Sequence, residues 1–321
     1  MLGLALSFLA GCGATRPKVA SSKPPAGKKH VEVAAAKTVP TLQPTYVGGK
    51  GGIFYTNMVV VLTWHDVQPK GVYDTISTAN FAAEMDALQK DGFHPISPAL
   101  FTAFIDHEAT LPPNAVLLTF DNGCEGVFVN AWPIITQHNF PVLLFPVLGR
   151  TDVNAGFFTS AQMKTMVASG LATIGSHTYA EHNGAPAGPG LSGPADVVRL
   201  WNGTTTETWA QYDARVSADA AAAQKAIVAI TGTSEPYYSD PFGQYTQRMA
   251  SLIARSGFSE DFTTLGWAVT QSTPHDRLPR INVGTGSMTA SGMVAGILDV
   301  ARLTARTPTW YPPLNWTHMW K

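Results

Sequence analysis

The sequence predicts an α/β domain organised around parallel strands, as a barrel or a doubly wound sheet. Three observations carry that expectation. Apolar, β-branched runs of strand length alternate with helix-like segments over about 250 residues. The strand-like runs are apolar throughout rather than alternating, as in strands covered on both faces. Hydrophobic residues make up 45 % of the chain and charged ones 13 %, enough for a sizeable core and too apolar for global disorder.

Each element follows from local chemistry. Residues 58–62 form the first buried run. Thr78 is the expected cap of a helix that sets Phe81, Met85 and Leu88 on one face and stops at Gly92. Residues 115–120 and 141–148 read as two further buried strands. Thr159-Ser160-Ala161-Gln162 has the spacing of a capping box, opening a helix that ends at Gly170, and 171–175 is a short strand. Residues 183 to about 210, rich in Gly, Pro, Thr and Asn, read as a long loop beside the active face. The Ala-rich stretch 214–231 is a helix closed by Gly232. A strand at 236–239, a helix at 244–256, strands near 260 and 280 and a helix at 289–304 complete the alternation. No repeat of tens of residues interrupts it, so one barrel-like domain with tails is expected from 321 residues.

The N-terminus reads differently. Residues 2–10 are apolar but fall short of the about 20 residues that span a bilayer. They end in Leu9-Ala10-Gly11-Cys12, which resembles the lipobox of bacterial lipoproteins; the alternative is an ordinary secretory signal with an incidental cysteine. Either reading exports the protein, as a secreted chain or one anchored to the cell membrane by lipid on Cys12. No Lys or Arg precedes the apolar run, which leaves the true start open. The expected organisation is a signal peptide with lipobox at 1–12, a disordered tether at 13–52 and a catalytic domain at 53–321.

Several function classes drop out. With 21 Lys+Arg against 22 Asp+Glu, the chain lacks the basic footprint of a nucleic-acid binder. Cys12 and Cys124 alone cannot build a disulfide scaffold. Gly48 to Gly52 lacks the spacing of a phosphate loop. No G-x-S-x-G elbow and no G-x-G-x-x-G opening a helix occurs.

What remains gathers at strand ends. The run 115–120 leads into Asp121-Asn122-Gly123, which is equally good turn chemistry. The strand 171–175 leads into Ser176-His177 and on to His182. These two histidines would diverge by about 140° on a helix, so a shared ion requires a turn. Otherwise they are unrelated surface residues. His65-Asp66 follows the first strand, where a histidine is commonly a polar plug. The C-terminal ends of barrel strands lie on one rim, so these groups can assemble a metal site with an acid and a base.

Leu118-Thr119-Phe120-Asp121-Asn122-Gly123 resembles the T-F-D-D-G motif of polysaccharide deacetylases, the NodB homology family. Ser176-His177-Thr178 through His182 resembles the H-T-x-x-x-H motif of its bacterial poly-N-acetylglucosamine deacetylases. His65-Asp66-Val67, Asp240-Pro241-Phe242-Gly243-Gln244-Tyr245 and Leu278-Pro279-Arg280-Ile281 resemble further segments of those enzymes, in the same order. The resemblance implies a distorted (β/α) barrel with fewer than eight repeats. It implies Asp121 as general base, His65 as general acid, and Asn122, His177 and His182 as ligands of a divalent metal, with zinc the expected ion. Arg280 is expected to orient Asp121 through a charge-assisted hydrogen bond.

Two departures stand out: Asn122 replaces the second aspartate, and Cys124 replaces the usual tyrosine. A neutral amide oxygen should bind a dication less tightly than a carboxylate. Cys124 is a substitute ligand or, more in keeping with its type, a small buried residue. His275 and His318 are further candidates for a substrate or acid role. His94, His107 and His138 read as structural, and Glu125 and Glu181 have no assigned part. The expected activity is N-deacetylation of a GlcNAc-containing polysaccharide. The alternatives are a polysaccharide-binding barrel without metal and an O-acetyl glycan esterase. Oligomeric state is not legible in the sequence.

Overall fold

In the computed structural model, which describes residues 41–307, seven short parallel strands close into a ring. They are β1 (Val60–Trp64), β2 (Ala115–Asn122), β3 (Val142–Pro146), β4 (Ala172–Ile174), β5 (Tyr237–Ser239), β6 (Glu260–Phe262) and β7 (Ile281–Asn282). In sheet order β7 pairs with β1, β1 with β2, β2 with β3 and β3 with β4; Val60 lies opposite Val116 and Asp121 opposite Phe145. β5 pairs with β6. Single parallel bridges from Ser176 to Tyr238 and from Phe262 to Leu278 join the two groups. The outcome is the distorted (β/α) barrel with fewer than eight repeats that the motifs imply.

Helices α1 (Thr78–Lys90), α2 (Pro98–Ile105), α3 (Trp132–His138), α4 (Ser160–Ala168), α5 (Trp209–Thr231), α6 (Gln247–Arg255) and α7 (Ala290–Arg306) accompany the strands. Alternation along each strand sorts side chains between two cores. Val60, Leu62, Leu118, Phe120 and Leu144 pack with the apolar faces of helices such as α1 and α7. Val61, Leu117, Leu143 and Phe145 belong to the second cluster, joined by Phe101, Phe104 and Ile105 of α2. Two residues further along the second row come Thr63 and Thr119, and then Asp121, all buried. The barrel interior thus changes from hydrocarbon to polar toward the C-terminal strand ends.

Several boundaries move from their expected places. Ser77 caps α1, accepting from the Asn80 N–H at 3.1 Å, so Thr78 is the first helical residue. Sequence patterning overlooks α2, although Ser97 followed by Pro98 is a good helix start. Helix α5 begins at Trp209, earlier than its alanine content suggests, because Thr208 and Gln211 form a second capping box. The capping box at Thr159 and Gln162 makes both of its hydrogen bonds. The stretch from 183 carries its own hairpin, Gly184–Gly188 against Leu191–Pro194. Ordered structure also starts inside the span assigned to the tether, with Thr45–Lys50 paired to Ile53–Thr56. The Asn114 side chain secures this hairpin by accepting from the Phe54 and Tyr55 N–H groups. The lipobox at Cys12, the tether up to residue 40 and His318 lie outside the described residues. Among the described residues no helix is long and apolar enough to cross a membrane.

Candidate active site

Asp121 stands at the penultimate position of β2, where its inward side chain meets Arg280. The guanidinium donates from Nη1 to Oδ1 and from Nη2 to Oδ2, each at 2.7 Å. Nη1 also reaches Thr63 and Thr119, both at 3.2 Å, Nη2 reaches Ser239 Oγ at 2.8 Å, and Nε donates to the Thr263 carbonyl at 3.0 Å. The two threonines that interrupt the apolar strands therefore seat the arginine. Burial favours the neutral Asp121 carboxyl, but Arg280 and His177 outweigh it and hold the group well below the usual carboxylate range. Arg280 is the partner that counts, because His177 is itself neutral near pH 7.

His177 is buried, and its Nδ1 lies 2.7 Å from the Ser239 carbonyl oxygen. A carbonyl only accepts, so Nδ1 carries the proton and Nε2 keeps the lone pair. Burial pushes this imidazole down to about 3, and burial followed by the Arg150 charge lowers His182. The His177 and His182 ring centres are 4.4 Å apart. Convergence comes from a tightly pinned turn. Leu148 N–H donates to the Thr178 carbonyl at 3.1 Å, Asp219 accepts from the Tyr179 and Ala180 N–H groups, and Arg150 donates to the His182 carbonyl at 3.0 Å. Thr178 takes a left-handed φ of +73°, costly for a β-branched residue.

Asn122 also has a left-handed backbone, φ +71°, and Gly123 follows at +76°. A β-carbon on Gly123 would lie 2.7 Å from that of Pro146, so the close turn requires glycine. Turn chemistry and site chemistry share these residues. The Asn122 Oδ1 is buried and has no hydrogen-bond donor. A cleft of about 400 Å3 is lined by His65, Asp74, Asp121, Asn122, His177, His182 and Phe242, among others. Arg280 stands behind Asp121 rather than on the wall. Among the described residues no three His, Cys, Asp or Glu side chains group as a metal site. The orphaned amide oxygen of Asn122 supplies the missing donor type. With two neutral imidazoles beside it, this set fits a divalent cation.

The other candidates separate from the cleft. Burial, reinforced by Asp66, pushes the Cys124 thiol up to about 12, and Cys124 forms a backbone bridge with Phe157. It is a partly buried thiol outside the cleft wall. His275 faces Asp106 at 3.9 Å. His94 Nδ1 meets the Pro113 carbonyl and His138 approaches Asp86 at 3.2 Å. His107 adopts a left-handed φ of +61° just past α2. Glu125 accepts from Gln162, and Glu181 pairs with Arg215 at 2.8 Å. Sequence reasoning missed Ser239, which serves both His177 and Asp121, and Asp74 on the cleft wall; Phe242, also on the wall, falls within a quoted motif that gave it no role. Phe242 has φ +57°, and its ring centre is 5.1 Å from that of His182. Asp240 also lines the cleft, and burial raises both it and its neighbour Asp261.

The family model described as polysaccharide deacetylase matches residues 108–260. The poly-beta-1,6-N-acetyl-D-glucosamine N-deacetylase of Escherichia coli (strain K12) is 24 % identical over 245 residues, covering 70 % of this chain and 36 % of that protein. This chain therefore spans about a third of that relative's length. Among solved structures, the de-N-acetylase from Aggregatibacter actinomycetemcomitans superposes with a TM-score of 0.68 at 23 % identity, over 74 % of this chain and 99 % of that one. IcaB from Ammonifex degensii gives 0.63 at 26 % identity, over 75 % and 97 %. The motifs stand in order around a closed barrel, and the stretch from β2 to the start of β6 matches the polysaccharide deacetylase family model.

Proposed function

We propose that this chain is an exported, metal-dependent hydrolase that removes N-acetyl groups from a GlcNAc-containing polysaccharide. The observation that carries the reading is the Arg280-clamped Asp121 beside three neutral donors and His65 in one cleft. The similarity to an N-deacetylase acting on poly-β-1,6-GlcNAc supports the substrate class. Export as a lipoprotein through Cys12 suits a polymeric substrate outside the cytoplasm.

Hydrolysis of an acetamide needs a proton taken from water and a proton given to nitrogen. Asp121 is the base in this reading: Oδ1 accepts once from Arg280 and retains a second lone pair for water. Because Arg280 holds its carboxyl low, Asp121 carries that proton only in passing. A second group must deliver one to the leaving amine, and in this reading His65, on the cleft wall, takes that role. Its Nδ1 is buried and has no hydrogen-bond partner among the described residues. A divalent cation held by Asn122, His177 and His182 would supply Lewis-acid polarisation of the acetamide carbonyl. Ser239 keeps His177 in the tautomer that presents Nε2. The test is acetate release from N-acetylated, β-linked glucosamine oligosaccharides, with metal content measured on the same protein. Release that disappears on chelation and in Asp121→Asn is expected. Metal-loaded protein that binds the oligosaccharides without releasing acetate would overturn the reading in favour of a binding module.

A further inference from the structure

A second groove, of about 580 Å3, runs between residues 71–74 and 285–287 and shares Asp74 with the catalytic cleft. Its most conspicuous side chain is Tyr73, which is 89 % exposed. The ring sits on a stiff turn. Val72 and Thr75 exchange backbone hydrogen bonds at 2.8 and 2.7 Å, and the Gly286 N–H donates to the Tyr73 carbonyl at 2.8 Å. Gly71 and Gly286 allow the two segments to touch: a β-carbon on Gly286 would lie 2.8 Å from the Val72 nitrogen. Tyr73 itself has a left-handed φ of +37°. A bulky residue held in that conformation costs free energy, and its largely exposed ring gains little burial in return.

We infer that Tyr73 is the stacking platform for a hexosamine unit adjoining the one that reacts, so that the chain acts on internal units of a polymer. The inference rests on the proposed deacetylase reading and adds chain-length selectivity to it. An aromatic side chain, with only two χ angles, on a fixed backbone offers contact area at small entropic cost. The face of a pyranose presents C–H groups to such a ring, while its hydroxyl and amide N–H groups need acceptors. Asp74 supplies a carboxylate where groove and cleft meet, with Asn282 Nδ2 of the cleft wall 3.5 Å from its Oδ1. A polymer leaving the cleft past Asp74 runs over the Tyr73 ring. The same turn pins the Tyr73 backbone, so binding there requires little backbone reorganisation.

The experiment compares Tyr73→Ala and Tyr73→Phe with wild type on N-acetylglucosamine and on its β-linked pentasaccharide. Tyr73→Ala is expected to raise KM for the pentasaccharide about tenfold, the worth of one aromatic contact. Its kcat and its rate on the monosaccharide stay unchanged, and Tyr73→Phe behaves as wild type. Equal losses on both substrates, or no change on the pentasaccharide, would overturn the inference. Calorimetric titration of the pentasaccharide separates this from a failure of the deacetylase reading. If wild type releases no acetate from either sugar, a Kd about tenfold weaker in Tyr73→Ala still supports the platform. An unchanged Kd removes it.

Discussion

Arg280→Met is the perturbation that reports most directly on how the site is built. Methionine retains an unbranched apolar stem in the barrel and deletes the guanidinium fork. The structure gives that fork six hydrogen bonds, two of them to Asp121 at 2.7 Å. Without it Asp121 is only 3 % exposed and keeps a single side-chain donor, Ser239 Oγ at 3.2 Å. Breaking a buried pair by removing one partner costs about 3–5 kcal/mol, because the other charge stays desolvated and unpaired. For a domain of this size that lowers Tm by about 10 °C. The assay is equilibrium denaturation of a double-mutant cycle with Asp121→Asn. In the Asn background there is no carboxylate to strand, so Arg280→Met should cost less than about 1–2 kcal/mol, leaving a coupling of a few kcal/mol. Equal costs in the two backgrounds would refute the reasoning. The arginine would then matter for its contacts to Thr63, Thr119 and Thr263 and not for holding Asp121.

Three further outcomes are expected. Asn122→Asp should tighten divalent metal binding at least about tenfold, measured by competition with a chelating dye, since a carboxylate adds a Coulombic attraction; unchanged affinity would remove residue 122 from the ligand set. His65→Ala should depress turnover of acetamides far more than that of an acetate ester with a good leaving group, which needs little proton assistance. Equal loss on both, or loss of bound metal, would make His65 a ligand or a structural plug. Glu84 is buried, and burial pushes its carboxyl up to about 8 from an ordinary 4.5, although the Trp64 Nε1–H bond at 2.8 Å works against that rise. The folded chain then binds this proton more tightly than the unfolded one, so stability falls as pH rises from about 5 to 8, by roughly 3 kcal/mol. Glu84→Gln keeps an acceptor for Trp64 and should flatten that slope. Parallel stability–pH curves for the two proteins would contradict the assignment.

The alternation of buried strands and capped helices, and the chemical character of their ends, follow from the sequence alone. Apolar runs such as 115–120 state that both faces are covered, and the Thr159–Gln162 box is a local hydrogen-bonding pattern that no neighbour needs to supply. Motif order around Asp121, His177 and His182 is equally legible because Asp121 sits at the end of one buried strand and the two histidines follow the end of another. Helix α2 and the second capping box at Thr208 were also written locally, but weaker composition signals hid them. Other features depend on groups brought together from distant parts of the chain. Which carboxylate Arg280 holds is decided by a separation of 159 residues, closed only by barrel geometry. Ser239 becomes important because its carbonyl reaches His177 beyond the neighbouring strand and its hydroxyl reaches Asp121 across the barrel interior. Thr63 and Thr119 are ordinary strand residues by propensity, and their inward register turns them into a seat for a buried cation. The neutrality of His177 and the low range of Asp121 likewise arise from desolvation and from one nearby guanidinium. Neither exists before the barrel closes, because both depend on distance and on the exclusion of water.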